Sequence, residues 1–371
     1  MNVDLPGKFE LVAELEGHDD RAWHIAWNPT RNLLASCSAD KTVRLYNFSS
    51  STNQSDGTTN GLTFTHNTTI PTGHTKTVRA VAWSPSGKTL ATASFDANIG
   101  IWAQEEDNEE AEDSPSGEWE CMSLLEGHET ECKSIAYSST GTLLASCSRD
   151  KTVWIWEVHP DSDFECMGVL MEHTQDVKCV AWHPTEEILA SASYDDTIKL
   201  YLDDPSDDWF CATTLTGHGS TVWTLAWEPL QGGYLASGSD DGTIRIWRRL
   251  PVKGELRFDC VAVLEGHDRS VYSISWSPSP PSVVVEGEQQ CELGLLASTG
   301  GDGIVLIWQI TETTEADSGK TVIEHKIVAR IDAAHGVFDV NSIAWCPRTG
   351  LQDVLATTGD DGHVKVWKIH V

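Results

Sequence analysis

The residues best suited to chemistry in this 371-residue chain are histidine, aspartate and serine, and they recur together. His18, His74, His128, His173, His218, His267 and His335 each precede one aspartate of a second set: Asp40, Asp96, Asp150, Asp195, Asp241, Asp302 and Asp361. A strand-like run containing Ser or Thr lies between the two members of each pair. Histidine beside aspartate and serine is the composition of a hydrolytic triad. A catalytic triad occurs once in a chain, however, and this set occurs seven times in equivalent positions. A repeated structural hydrogen-bond frame is therefore expected, with no catalytic residue. Asp150→Ala should then cost stability, not turnover. No Gly-rich phosphate loop, HExxH helix or GxSxG elbow is present, so the chain is not expected to be an enzyme.

The elements that must position these residues are written most clearly in 127–157, GHETECKSIAYSSTGTLLASCSRDKTVWIWE. An alternating run, Cys132–Tyr137, is followed by a turn at Gly141 and an apolar run at 143–146. Asp150 marks a tight turn, and a third alternating run ends on Trp156. Period-2 runs separated by turn residues predict three antiparallel strands, and Trp119–Leu125 just upstream supplies a fourth. Each copy closes on an aromatic: Tyr46, Trp102, Trp156, Tyr201, Trp247, Trp308 and Trp367. The histidines are spaced by 45 to 68 residues. Four strands per unit inside a Gly-His to Trp-Asp-like frame resemble the WD40 family, whose repeat is about 40–45 residues long. The resemblance implies an all-β, seven-bladed WD40 β-propeller in which His, Asp, the strand Ser or Thr and the closing aromatic form a buried network.

One domain, 1–371, is expected, because a four-stranded blade needs its neighbours to bury both of its faces. Residues 9–15 (FELVAEL) read as an outer strand with no inner strands before it, and 341–369 as three strands with none after. Pairing the two would build one blade from both ends of the chain and close the ring without a free edge. Polar or Pro/Gly-rich tracts at about 49–61, 103–117, 278–294 and 311–324 read as flexible loops. All four emerge on one face of the ring. The opposite face, carrying the Gly-His connections and the Asp turns, is the plainer one and the better docking surface.

Lys and Arg number 25 against 56 Asp and Glu, a formal charge of −31. So acidic a surface repels phosphate backbones, and direct nucleic-acid binding is not expected. The start, MNVDLPGKFE, lacks a cationic-then-apolar signal, and no run of about 18 apolar residues predicts a membrane span. The ten cysteines form no CxxC or Cys/His frame. Cys37 and Cys147 match in position, as do Cys121, Cys166, Cys211 and Cys260. They are expected to be small buried residues in a reducing compartment, with no metal site and no cofactor. The cytosol, with or without nuclear access, is the expected location.

The candidate binding residues lie just outside the repeated frame. Two rings should face the mouth on the plain side. The residues before the turn aspartates include Phe95, Arg149 and Tyr194; those following the Gly-His connections include Trp23, Arg79, Lys133, Lys178, Trp223 and Tyr272. Arg and large aromatics dominate binding hot spots. Four cations on one mouth of a chain this acidic are not a composition effect. A partner-binding mouth is expected, positive on blades two to four, suited to a carboxylate-bearing segment or chain end.

CSRDKTVWIWEV (147–158), FECMGVLMEHTQDVKCVAWHPTEEILASASYDDTIKLY (164–201) and GHGSTVW (217–223) carry a narrower resemblance. They look like the WD40 subunits of the cytosolic iron–sulfur protein assembly (CIA) targeting complex. That resemblance implies a non-catalytic adaptor. It would work with a small MIP-type subunit and a large HEAT-repeat scaffold, and receive clusters through an iron-only hydrogenase-like carrier. Its clients would be apo iron–sulfur proteins of cytosol and nucleus. A functionally sensitive arginine of the family matches Arg149. A Leu-Tyr-Arg tripeptide of some members, by contrast, reads Leu200-Tyr201-Leu202 here, which as plain sequence completes a strand. The isolated chain is expected to bind no iron, since no closely spaced thiolates exist to hold a cluster. The alternative is a generic WD40 scaffold or substrate receptor of another complex, which would commonly add a helical docking domain.

Overall fold

The computed structural model describes residues 5–52, 59–104, 118–160, 163–204, 208–277, 290–314 and 321–370. They form seven four-stranded antiparallel sheets arranged as the blades of a propeller. Blade three shows how the sequence builds one. Cys132–Tyr137, Leu143–Ser148, Val153–Val158 and Phe164–Leu170 run inside to outside as successive antiparallel neighbours. The second strand, LLASCS, is buried at every position because neighbouring blades cover both of its faces. Only small and aliphatic residues fit there, and the second strands of blades one, four, five and seven are likewise wholly buried. Outer strands are mostly exposed or partly covered, and those of blades two and three end on one buried leucine. Among the described residues there is no helix, hence none long and apolar enough to cross a membrane.

The ring closes as the two chain ends predict. Lys8–Leu15 pairs with Val364–His370, in register from Lys8 opposite His370 to Leu15 opposite Val364, with one bulge. Indole hydrogen bonds hold adjacent blades together. Nε1 of Trp83, Trp182, Trp227 and Trp345 each donates to an inner-strand carbonyl of the preceding blade at 3.0–3.1 Å. Trp27 does the same to Ala344 at 3.0 Å, across the closure between blades one and seven. Blade six departs: Trp276 turns to Leu293 of its own blade.

Four loop boundaries need correction. Residues 49–52 and 59–61 belong to a long hairpin, Thr42–Thr52 with Thr59–Pro71, in which Ser49 faces Thr63. Residues 103 and 104 end the strand Ile99–Gln104. Residues 290–294 open Gln290–Gly300, and 311–314 and 321–324 extend the pair Val305–Thr314 and Thr321–Ile331. A ladder that has already started adds hydrogen bonds as it extends, and apolar side chains go with it: Ile323 is buried, and Leu62, Phe64 and Leu293 pack against the core. The central parts of all four tracts (53–58, 105–117, 278–289 and 315–320) lie outside the described residues. Leu200 and Tyr201 are fully buried in the strand Ile198–Asp203, as their strand-completing role requires.

Candidate partner-binding mouth

The seven histidine–aspartate sets are built alike. Each Nδ1 lies 2.8–3.1 Å from its aspartate, and each Nε2 lies 2.6–2.9 Å from Ser36, Thr92, Ser146, Ser191, Ser237, Ser298 or Thr357. In five blades the closing tryptophan donates Nε1–H to the same hydroxyl at 2.9–3.1 Å. Proton bookkeeping is consistent: the indole donates to the hydroxyl, the hydroxyl to Nε2, and Nδ1–H to the carboxylate. Tyr201 substitutes with Oη at 3.3 Å from Ser191, whereas the buried Tyr46 hydroxyl lacks a well-placed partner. Burial pushes each aspartate pKa up, but hydrogen bonds from histidine, threonine and backbone N–H groups, with the histidine's field, outweigh it. All seven are held low, Asp241 at about 2. Burial also lowers His74 and His218. No nucleophile stands free in these sets: every Ser or Thr oxygen is committed to its histidine. They fix the tight turns and the Gly-His connections, and those shape the mouth.

The inner strands supply the mouth itself. Each has a β-bulge at its second residue, where the pairing skips Trp23, Arg79, Lys133, Lys178, Trp223, Tyr272 and Asn341 in turn. A bulge releases one residue from the ladder and re-aims its side chain. All seven released residues line one central cavity of about 270 Å³, with Arg21, Phe95, Asp339 and Asp360. Seven of the nine residues singled out from sequence thus meet in one space: Trp23, Arg79, Phe95, Lys133, Lys178, Trp223 and Tyr272. Arg149 and Tyr194 do not line it. They stand on the rim, Arg149 ion-paired to Glu131 at 3.5 Å and Tyr194 more than half exposed.

Cations and rings alternate around the cavity. Arg79 lies 4.9 Å over Trp23, Lys133 4.1 Å over Phe95, and Lys178 4.9 Å over Trp223 and 5.3 Å over Tyr194. Trp223 meets Tyr272 edge-on at 5.4 Å. The electrostatics are less one-sided than the cations alone indicate. Glu131 bridges Lys133 and Arg149, and Asp176 pairs with Lys178 at 3.3 Å. Opposite them, Asp360 holds Arg21 at 3.3 Å and accepts from Asn341 at 2.9 Å. Arg21, Asp339, Asp360 and the two neutralising acids were not among the candidates. Glu131 and Asp176 had a signal: each stands two residues before its lysine, a same-face spacing in extended chain.

Arg79 is different. It has no carboxylate partner among the described residues, and the titratable groups acting on it are the thiols Cys37, Cys179 and Cys147. Burial pushes those thiols up, Cys37 to about 12, so they stay neutral and leave its charge uncompensated. Burial presses Arg79 and Lys133 downward. His24 is lowered to about 4 by burial and Arg79.

All ten cysteines are free thiols, but the expected burial holds only for Cys37, Cys132, Cys147 and Cys346; Cys121, Cys166 and Cys260, on outer strands, and Cys291 are exposed. Among the described residues one group brings three potential metal ligands together, Glu157, His159 and Glu165 on the outside of blade three. His159 is 3.9 and 4.0 Å from the two carboxylates, the geometry of a solvent-screened ion pair, and no thiol joins it.

Comparison with known proteins adds two findings. The family model described as "WD domain, G-beta repeat" matches residues 9–47, 65–103, 119–157, 164–201, 209–248, 258–309 and 327–368. Each matched unit begins on an outer strand and ends on the third strand of the next blade. Curated relatives cover nearly the whole chain. The probable cytosolic iron-sulfur protein assembly protein 1 of Cryptococcus neoformans var. neoformans serotype D is 43% identical over 98% of this chain and 99% of its own length. The protein of the same name from Mycosarcoma maydis is 48% identical over 97% and 92%, and that from Aspergillus terreus 37% over 94% and 95%.

Proposed function

Because this chain belongs to the WD40-repeat family, and within it to the cytosolic iron–sulfur protein assembly proteins, we propose that it is a non-catalytic adaptor of that machinery. In this reading it helps to bring cluster-free target proteins to the assembly and to load them. Its surface, not a reaction centre, does the work, because the residues that compose a triad are spent seven times over on the blades. The observation that carries the reading is the mouth, where seven bulges turn cations and aromatics out of an otherwise self-satisfied frame. A carboxylate-bearing segment of a partner fits Arg79, Lys133 and Lys178. Arg149, on the rim beside Glu131, would read the partner's approach. The partners in this reading are a small MIP-type subunit, a HEAT-repeat scaffold, an iron-only hydrogenase-like cluster carrier and apo iron–sulfur proteins. The work is cytosolic, with access to nuclear targets.

The test is a tagged purification of the wild type beside Arg149→Glu, with co-purifying proteins identified by mass spectrometry. The adaptor reading expects the wild type to bring the scaffold, the small subunit and iron–sulfur enzymes, and the variant to lose the enzymes while melting at the same temperature. Recovery of ubiquitin-ligase or chromatin subunits in their place would overturn it.

A further inference from the structure

The mouth also holds an anion without a hydrogen-bond or ion-pair partner among the described residues. Asp339, between the apolar pair Val337-Phe338 and the inner strand of blade seven, makes no side-chain hydrogen bond or ion pair among the described residues. Its carboxyl is raised by burial and by neighbouring Asp360, against the opposing fields of Arg269 and Arg21, neither of which pairs with it. Asp360 itself is engaged by Arg21 and Asn341, and Asp240, nearby on blade five, is engaged by Ser220, Trp223 and Ser270. One cation and one anion therefore stand unmatched in one cavity, Arg79 and Asp339, both among its lining residues. The buried Nε1 of Trp23, beneath Arg79, also lacks an acceptor.

The connection that carries Asp339 differs from the other six. Those continue with polar residues or glycine after the histidine and no large apolar one, as in His128-Glu129-Thr130 and His218-Gly219-Ser220. This one reads His335-Gly336-Val337-Phe338, with Val337 95% and Phe338 46% exposed. An apolar shelf thus adjoins the anionic wall.

A carboxylate alone would satisfy Arg79 and leave Asp339 worse off, adding a third negative group to Asp339 and Asp360. A cation alone would do the converse. A ligand bearing both charges meets each deficit at once. We propose that the mouth is a two-pole receptor for a single partner segment carrying an acidic and a basic side chain, the acid seated on Arg79 against Trp23 and the base on Asp339 beside Val337. The proposal rests on the mouth being the partner site and specifies what a partner must present. Charge complementarity at both ends also fixes the direction in which the segment lies.

The probes are capped six-residue peptides, amidated to remove the terminal charge, with one Glu and one Lys separated by one to four apolar residues. Glu-only and Lys-only versions serve as controls, and binding to the full chain is read by fluorescence anisotropy. A mixed peptide is expected to bind about tenfold more tightly than the Glu-only peptide, and Asp339→Asn to reduce it to the Glu-only level, about 1.4 kcal/mol by the tenfold conversion. Arg79→Gln should abolish binding of both, and melts check that both variants fold. Mixed peptides binding no better than Glu-only ones, or unaffected by Asp339→Asn, would overturn the two-pole receptor. Glu-only binding that still depends on Arg79 would then leave the mouth intact as a partner site. If no peptide binds, the two-pole receptor fails and the mouth reading loses its support with it.

Discussion

The blade frame and the mouth use the same kinds of residue in opposite ways. In the frame, seven aspartates are held below their ordinary pKa, each receiving donors from histidine, threonine or backbone N–H groups. In the mouth the shifts reverse: Asp339 is raised, and Lys133 and Arg79 are lowered. Among these groups charge is stabilised in one region and destabilised in the other; the frame's His74 and His218, lowered by burial, are the exceptions on that side. A group held low as an acid, or high as a base, contributes to folding; one shifted the other way is maintained at a cost and is poised to bind. The difference teaches where to look in a repeat protein: what recurs in every blade holds the ring, and what is left unmatched in the mouth is where the proposed partner contact is to be sought.

The largest effect tests whether the frame is one closed object. Deleting residues 1–15 removes Lys8–Leu15 and exposes the edge of Val364–His370. We expect the loss of most of the folding stability, which for a domain is about 5–15 kcal/mol, seen as aggregation or a collapsed melting transition. A well-folded monomer would contradict ring closure.

Within the frame, Asp150→Ala strips the acceptor from His128 Nδ1, Glu129 N, Thr152 N and Thr152 Oγ1. Leaving buried donors unpaired should cost about 1–3 kcal/mol, measured by urea unfolding. Acid attacks all seven copies together. Unfolded aspartates take up protons near pH ~3.9, whereas folded Asp241 holds out to about 2. The stability these groups supply is therefore complete above the unfolded value and lost as pH falls through the folded one. His74 and His218, lowered by burial, act in the same sense from pH ~6.5 downward. The urea midpoint should begin to fall below pH ~6.5 with the histidines and fall most from pH ~3.9 to about 2 with the aspartates; a flat profile over that range would mean that the pairs contribute nothing.

In the mouth the expected effects are small, and one has the opposite sign. Because folding raises the Asp339 pKa, its charge opposes folding at neutral pH. Asp339→Asn should raise stability by up to about 1 kcal/mol, where frame substitutions lower it. A loss of 1 kcal/mol or more would place Asp339 in the frame after all. Arg149→Glu, exposed and held by one screened ion pair, should leave stability within about 0.5 kcal/mol.

Much of this contrast was legible in the sequence. Repetition exposed the frame, because seven equivalent His, Asp and aromatic positions leave one geometry that satisfies them all. The outer strand 9–15 and the three strands of 341–369 implied ring closure by elimination. The mouth was partly legible: Trp23, Arg79, Lys133 and Lys178 occupy one repeat position, and a bulge at that position turns them inward. Of the other ring, Phe95 reaches the cavity beneath Lys133, whereas Arg149 pairs with Glu131 and Tyr194 stays exposed on the rim. Asp339 escaped notice because it lies in the connection that breaks the repeat, where alignment with other blades gives no guidance. The hairpin extensions past Phe48 and Ile310 were hidden because Ser, Thr and Glu follow both residues directly, although Ile323 and Leu293 carry the core contact onward in blade six.

The most direct measurement is a double dissociation between the two regions. Asp150→Ala and Arg149→Glu, neighbours in sequence, are melted side by side, and each is tagged and purified with its associated proteins below the melting temperature of the weaker variant. The account predicts a lowered melting temperature with partners retained for Asp150→Ala, and an unchanged melting temperature with iron–sulfur enzymes lost for Arg149→Glu. If Asp150→Ala melted like the wild type yet lost its partners, or Arg149→Glu lost stability and kept them, the division between frame and mouth would be wrong.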